Sequence, residues 1–217
     1  MKFVLDRSTP RRLLAIAVLA TGVGAIATPE SPGLMDPETQ SPGLAVGDRG
    51  PDAMVMTAEG EEMSLADLYQ DGPVIVTFYR GGWCPFCTKA LAGWEDRMDD
   101  VAALGVTFVA ITPEKPEHAA ATQGKHAPSM MIVSDAAGEA SRAYRVAFAV
   151  TAPLQETYKG YGVDLCEHNA NGTWELPAPG TFVIDRDGVI TYAWADWDYK
   201  KRADPDEVLE AARIAAE

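Results

Sequence analysis

Apolar and polar positions along this chain fall into blocks whose period switches between that of a strand and that of a helix. Val74-Ile75-Val76-Thr77-Phe78-Tyr79 is β-branched or aromatic throughout, which predicts a buried strand. Gly81-Gly82 then allows a sharp turn. From Pro85 onward, Phe86, Leu91, Trp94 and Met98 recur at helical spacing, and proline is favoured in a first helical turn, so a helix is expected to start there. The switch repeats: 106–111 reads as a second buried strand closed by Thr112-Pro113, 115–124 as a helix, 130–133 as a third strand and 138–144 as a short helix. Upstream, 53–57 reads as a short strand, and Ser64 with Asp67 three residues on marks a helix start. Downstream, 181–185 and 189–194 flank Asp187-Gly188, a hairpin turn signal. Asp204 as N-cap, Pro205 at the first position and Glu207 as capping-box acid predict a last helix. The order predicts an α/β domain with a mixed, mostly parallel central sheet flanked by helices. Residues 149–176 are polar and glycine-rich, too long for an ordinary connection, and read as a functional insertion or a cap over a site.

The first 46 residues break the pattern. Lys2, Arg7, Arg11 and Arg12 precede an apolar run from Leu13 to Ala27, which is shorter than the ~20 residues that span a bilayer and ends in Ala25-Ile26-Ala27. We expect 1–27 to be a signal peptide cleaved after Ala27, and the protein to be exported, in the periplasm. An uncleaved membrane anchor is the main rival, and cytoplasmic placement the lesser one. From Thr28 to Val46 the composition is Pro, Gly, Ser and acid, with Ser31-Pro32-Gly33-Leu34 repeated as Ser41-Pro42-Gly43-Leu44. It reads as a flexible linker, 28–46, ahead of one folded domain, 47–217. The whole chain is 217 residues long and 47% hydrophobic, which suits one well-filled core. Its net charge of −14 argues against a nucleic-acid partner, whose phosphates would repel it.

The candidate chemistry sits where the first buried strand meets its helix. Cys84 falls at the predicted helix N-terminus, where unpaired backbone N–H groups and the helix dipole favour a thiolate, and such placement lowers a thiol pKa from about 8.5 into the range of about 3.5–7.5. Cys87 lies one turn deeper, within reach for a disulfide. The rival reading is a non-enzymatic binding module stapled by zinc, with Cys84, Cys87, Cys166 and His168 as ligands. Against it, this pair follows a long apolar strand and opens a helix, whereas structural zinc sits between loops.

Cys-x-x-Cys after the first central strand of this element order resembles the thioredoxin fold. Three strings carry a closer resemblance: 77–87, Thr-Phe-Tyr-Arg-Gly-Gly-Trp-Cys-Pro-Phe-Cys; 159–165, Lys-Gly-Tyr-Gly-Val-Asp-Leu; and 179–188, Pro-Gly-Thr-Phe-Val-Ile-Asp-Arg-Asp-Gly. They resemble the bacterial peroxiredoxin-like branch of the alkyl hydroperoxide reductase and thiol-specific antioxidant family, over about 46–208. The segment 192–206, with Asp198-Tyr199 and Arg202-Ala203-Asp204-Pro205, looks like that branch too. The resemblance implies a thiol-dependent antioxidant oxidoreductase. It also exposes two departures. Ordinary peroxiredoxins carry Thr or Ser three residues before the peroxidatic Cys, and an Arg ahead of the strand written here as 181–185. Gly81 and Pro179 stand in those places. Pro179 instead resembles the cis-proline of thioredoxin and its exported relatives, which faces the Cys pair and leaves backbone groups free to dock a substrate cysteine.

Either substrate, a hydroperoxide or a protein disulfide, requires attack by Cys84 thiolate and resolution by Cys87, with a thioredoxin-like or other dithiol partner as reductant. No cofactor is needed, and the oligomeric state is not indicated. Arg80, Trp83, Pro179 and Thr181 form the expected substrate-binding set. Arg80 is the basic residue immediately before the motif, suited to stabilising the thiolate or a substrate anion, with a solvated strand-end charge as its alternative. Trp83 is expected to shield the pair. Cys166 is expected to be buried or a bystander, and His118, His126 and His168 are given no catalytic role.

Overall fold

The computed structural model describes residues 33–217, and the expected signal peptide, with its cleavage site, lies outside them. The chain runs β1 (Met54–Met56), β2 (Glu62–Ser64), α1 (Leu65–Asp71), β3 (Val74–Phe78), α2 (Pro85–Glu95), α3 (Met98–Ala103), β4 (Thr107–Thr112), α4 (Pro116–His126), β5 (Met131–Ser134) and α5 (Glu139–Ala143). There follow β6 (Ala147–Ala149), α6 (Ala152–Gly160), α7 (Leu165–His168), β7 (Glu175–Pro177), β8 (Gly180–Ile184), β9 (Ile190–Ala195) and α8 (Pro205–Ala215).

Seven strands form one sheet in the order β2-β1-β5-β4-β3-β8-β9. β3 pairs in parallel with β4, and β4 with β5; β1 against β2 and β5, β3 against β8, and β8 against β9 are antiparallel. The sheet is mixed, as expected, but its parallel part is limited to the three middle strands. Only those are joined by helical crossovers, which parallel pairing requires, while the outer strands close through turns or return from afar. β3 explains its own composition: Ile75 faces a core with Leu91, Trp94, Phe108 and Val208, while Val74, Val76 and Phe78 face a second core with Leu65, Tyr144 and Phe182. Both faces are covered, so no polar alternation survives in the strand.

Ser64 caps α1 by accepting from Ala66 N–H, and Asp204 caps α8 by accepting from Asp206 N–H. Glu207 does not complete a capping box; its carboxylate accepts from Tyr192 O–H at 3.4 Å. The helix that follows Cys84 stops at Glu95, and Met98 opens α3 instead of closing α2. Phe86 faces outward, 42% exposed, because it stacks edge-on against Tyr199 over the cavity described below.

The expected flexible linker is corrected in its described part. Met35 is buried, its N–H donates to Ala147 O at 2.8 Å, Gly43 N–H to Arg145 O at 2.9 Å, and Trp197 Nε1 to Gln40 O at 2.8 Å. Backbone bonds hold this stretch against the domain, and composition does not record them. The 149–176 segment is structured as well. β6 and β7 pair as a separate two-stranded sheet, and Val150, Leu165 and Leu176 form a small core beneath α6 and α7.

Candidate active site

Cys84 is the N-cap of α2, and its carbonyl accepts from Cys87 N–H at 3.0 Å and Thr88 N–H at 3.1 Å. The thiol therefore stands beside the free N–H groups of the first turn, where negative charge is favoured. Cys84 and Cys87 are both buried free thiols. Their coupling is directional. The Cys87 thiol donates to Cys84, and together with backbone N–H groups and the Arg80 charge it brings the Cys84 pKa down to about 6 against the opposing effect of burial. Cys87 is pushed up, by holding its proton toward Cys84 and by burial. One thiol of the pair is thus prepared to attack and the other to keep its proton until needed.

Cys84 opens onto a cavity of about 610 Å³ lined by Arg80, Trp83, Phe86, Tyr158, Pro179 and Tyr199 among others. Arg80 is 3% exposed, which removes the solvated strand-end reading. Its guanidinium carbon lies 4.5 Å from the ring centre of Tyr199, 5.1 Å from Trp83 and 5.4 Å from Tyr158, and a terminal nitrogen donates to the Tyr158 hydroxyl. Aromatic faces compensate a buried cation by about 2 kcal/mol when water is excluded. Its Nε is buried with no hydrogen-bond partner.

One expected geometry and one expected contact are corrected. Pro179 lines the cavity beside Cys84, but no peptide bond in the described chain is cis. The backbone beside it is already engaged, since Ala178 N–H donates to Val146 O at 2.9 Å and Pro179 O accepts from Asp196 N–H at 3.2 Å. Thr181 does not reach the cavity: it is buried in β8 with its hydroxyl 3.0 Å from that of Thr77 on β3. The period-2 alternation of the strand places it on the same face as Val183, whose core also holds Cys84 and Cys87, yet it is not among the residues that line the cavity. The zinc-stapled arrangement is corrected too. Cys166 is exposed on α7, away from the buried pair, and His168 faces Glu114 and His118 instead.

Gly81 accounts for the missing hydroxyl residue. Its φ of +149° disfavours L side chains, and a Cβ there would lie 2.3 Å from Trp83 Nε1. Gly82 is equally confined by Thr122, and its N–H donates to Glu114 Oε2 at 2.8 Å. The turn is compressed between Trp83 on one side and a buried carboxylate on the other. Tyr158 could be read from sequence as either a site-lining or a core residue, and it lines the cavity; sequence reasoning missed three contributors: Tyr199 beside Arg80, Glu114 behind the turn, and Arg202, whose Nη2 donates to Cys87 Sγ at 3.4 Å. Tyr199 and Arg202 lie within the 192–206 segment that carried the family resemblance, which was the available signal.

The AhpC/TSA family matches residues 46–193. The chain belongs to the AhpC/TSA family. Among curated members, a putative peroxiredoxin of Mycobacterium tuberculosis is 30% identical over 155 residues, 71% of this chain and 87% of that protein. Peroxiredoxin Bcp of Escherichia coli is 27% identical over 154 residues, again 71% and 87%. Solved structures share the fold: peroxidoxin BcpB of M. tuberculosis at TM-score 0.61 and 22% identity, covering 78% of this chain and 96% of that one. A peroxiredoxin-like protein of Aquifex aeolicus matches at TM-score 0.63 and 19% identity, covering 81% and 90%. This AhpC/TSA chain is therefore a peroxiredoxin-like enzyme on a thioredoxin fold, and within it Trp83 occupies the space beside Gly81.

Proposed function

We propose that the protein is a thiol peroxidase for organic hydroperoxides, working through a Cys84/Cys87 disulfide. The observation that carries this reading is Cys84 with its pKa lowered to about 6 at the floor of an aromatic cavity that also holds a buried Arg80. The Cys84 thiolate attacks one peroxide oxygen, the O–O bond breaks, and the departing alkoxide takes a proton to leave as the alcohol. Cys84 is then a sulfenic acid. The Cys87 thiolate, freed of its proton, displaces hydroxide from that sulfur, forming the disulfide and releasing water. An external dithiol returns both thiols by exchange. The Arg80 guanidinium, which lines the cavity beside Cys84, stabilises the charge that develops on the peroxide oxygens, in place of the two groups the family normally uses. A cavity of about 610 Å³ walled by aromatic rings exceeds what hydrogen peroxide needs and suits an apolar substituent.

Stopped-flow tryptophan fluorescence of the reduced protein tests this with hydrogen peroxide and cumene hydroperoxide, beside an insulin-reduction assay. The expected result is faster oxidation by cumene hydroperoxide, with loss of two hydrogens located at Cys84 and Cys87 by peptide mass. Insulin reduction outpacing both peroxides, or a disulfide elsewhere, would refute it. We also propose that the protein is exported, on the strength of the basic start and the apolar run ending at Ala27. A mature N-terminus at Thr28 in a periplasmic fraction supports this, and Met1 retained in soluble cytosol opposes it.

A further inference from the structure

Three side chains outside the thiol chemistry converge beside the active-site turn. Glu114, His118 and His168 each bring a ligand-type atom to within 4.8 Å of the others, the one such group among the described residues. Glu114 follows β4 and is 2% exposed, His118 lies in the first turn of α4, and His168 ends α7. Their backbones are fixed independently of the side chains. Glu114 bridges Asn169 in antiparallel fashion, Lys115 N–H donates to His168 O at 3.0 Å, and Ala170 N–H to Pro113 O at 2.9 Å.

The side chains do not satisfy one another. His168 Nδ1 lies 3.8 Å from Glu114 Oε1, beyond hydrogen-bond range, and the two imidazole rings are 5.2 Å apart. Nδ1 of His118 and Nδ1 of His168 are both buried without a partner. Buried polar atoms are normally paired, and a buried carboxylate normally meets a counter-charge or a metal. Two orphan imidazole nitrogens facing one buried carboxylate ask for a single positive centre between them.

We propose that Glu114, His118 and His168 form a three-ligand site for a divalent transition ion of the zinc class. Two neutral imidazoles and a carboxylate are an established donor set for that ion. Ligands at ~2.1 Å from a tetrahedral centre lie about 3.4 Å apart, so with all three atoms within 4.8 Å of one another no contact has to close by more than about 1.4 Å. The other oxygen of Glu114, Oε2, accepts Gly82 N–H at 2.8 Å. The ion therefore joins three pieces of chain: the loop after β4, the α7 end of the cap, and the turn that presents Cys84. This site shares no residue with the Cys pair.

The test removes the competing thiols. Full-length protein with Cys84→Ser, Cys87→Ser and Cys166→Ser is titrated with cobalt(II) chloride, with zinc chloride as competitor. The expected result is one equivalent of cobalt, showing visible ligand-field absorbance without sulfur charge-transfer bands, and displaced by zinc. His118→Ala and His168→Ala, added singly, each weaken binding by roughly a hundredfold or more. In the otherwise unaltered protein, excess zinc raises the melting temperature, and it does so less once both histidines are replaced. Absence of stoichiometric binding in the thiol-free chain, or affinity unchanged by the histidine substitutions, overturns the site.

Discussion

Replacing Cys87 with Ala separates the two causes of Cys84 acidity, because the Cys87 thiol is the largest contribution while the α2 N-terminus and Arg80 remain. A hydrogen bond to a charged group is worth about 1.5–3 kcal/mol, and one pKa unit is 1.36 kcal/mol, so losing the donor raises Cys84 by roughly one to two units. With the parent value about 6, the variant titrates near 7 to 8. At pH 7 the thiolate share then drops from about nine tenths to between about a half and a tenth. Initial rates of monobromobimane alkylation, measured from pH 4.5 to 9.5 on the reduced protein, report the midpoint. The sign follows from the thiolate being the reactive form: the rate rises with pH, and the variant's curve moves to higher pH. Cys166 is exposed and also reacts, so both proteins carry Cys166→Ser. A Cys87→Ala midpoint within half a unit of the parent would refute the reasoning and leave the helix terminus and Arg80 as the whole cause. The same variant, given one equivalent of hydroperoxide, is expected to accumulate Cys84 sulfenic acid and, with excess, to over-oxidise.

Arg80→Met keeps length and loses charge, so peroxide reduction should slow by roughly 10²–10³, as for one lost oxyanion donor; stopped-flow rates within threefold of the parent would remove Arg80 from the reaction. Gly81→Ser should destabilise the fold by about 1–3 kcal/mol through overpacking against Trp83, read as a lower urea midpoint. A neutral midpoint with faster peroxide turnover would show that Trp83 moves aside. Arg202→Met removes the donor to Cys87 Sγ, so dimedone should trap more Cys84 sulfenic acid after a peroxide pulse while the first oxidation step keeps its rate.

The parts of this protein visible in its sequence are those whose cause is local. β3 was legible because its unbroken β-branched and aromatic run is buried on both faces, α2 because Cys87, Leu91 and Trp94 are buried at helical spacing, and Ser64 and Asp204 because a cap acts within two residues. Arg80 was ambiguous because its partners are distant in sequence: Tyr158 and Tyr199 meet it only after the cap and the stretch beyond β9 fold over β3. Residues 33–46 looked like a tether because backbone hydrogen bonds, such as Met35 N–H to Ala147 O, do not depend on side-chain identity. The 149–176 segment looked shapeless because its core is just Val150, Leu165 and Leu176, too few for a period. Pro179 is trans and its neighbours' backbone groups are occupied, so resemblance at one position did not carry the docking role with it.

The contact between Gly81 and Trp83 has a consequence for how this active site can change over generations. A hydroxyl residue at 81 collides with the indole while Trp83 is present, and a smaller residue at 83 strips one aromatic face from Arg80 while Gly81 offers no hydroxyl in exchange. Each single change gives up packing or a cation contact before the second supplies a donor to the peroxide, so the two positions are coupled, and exchanging both together is the route that avoids the clash.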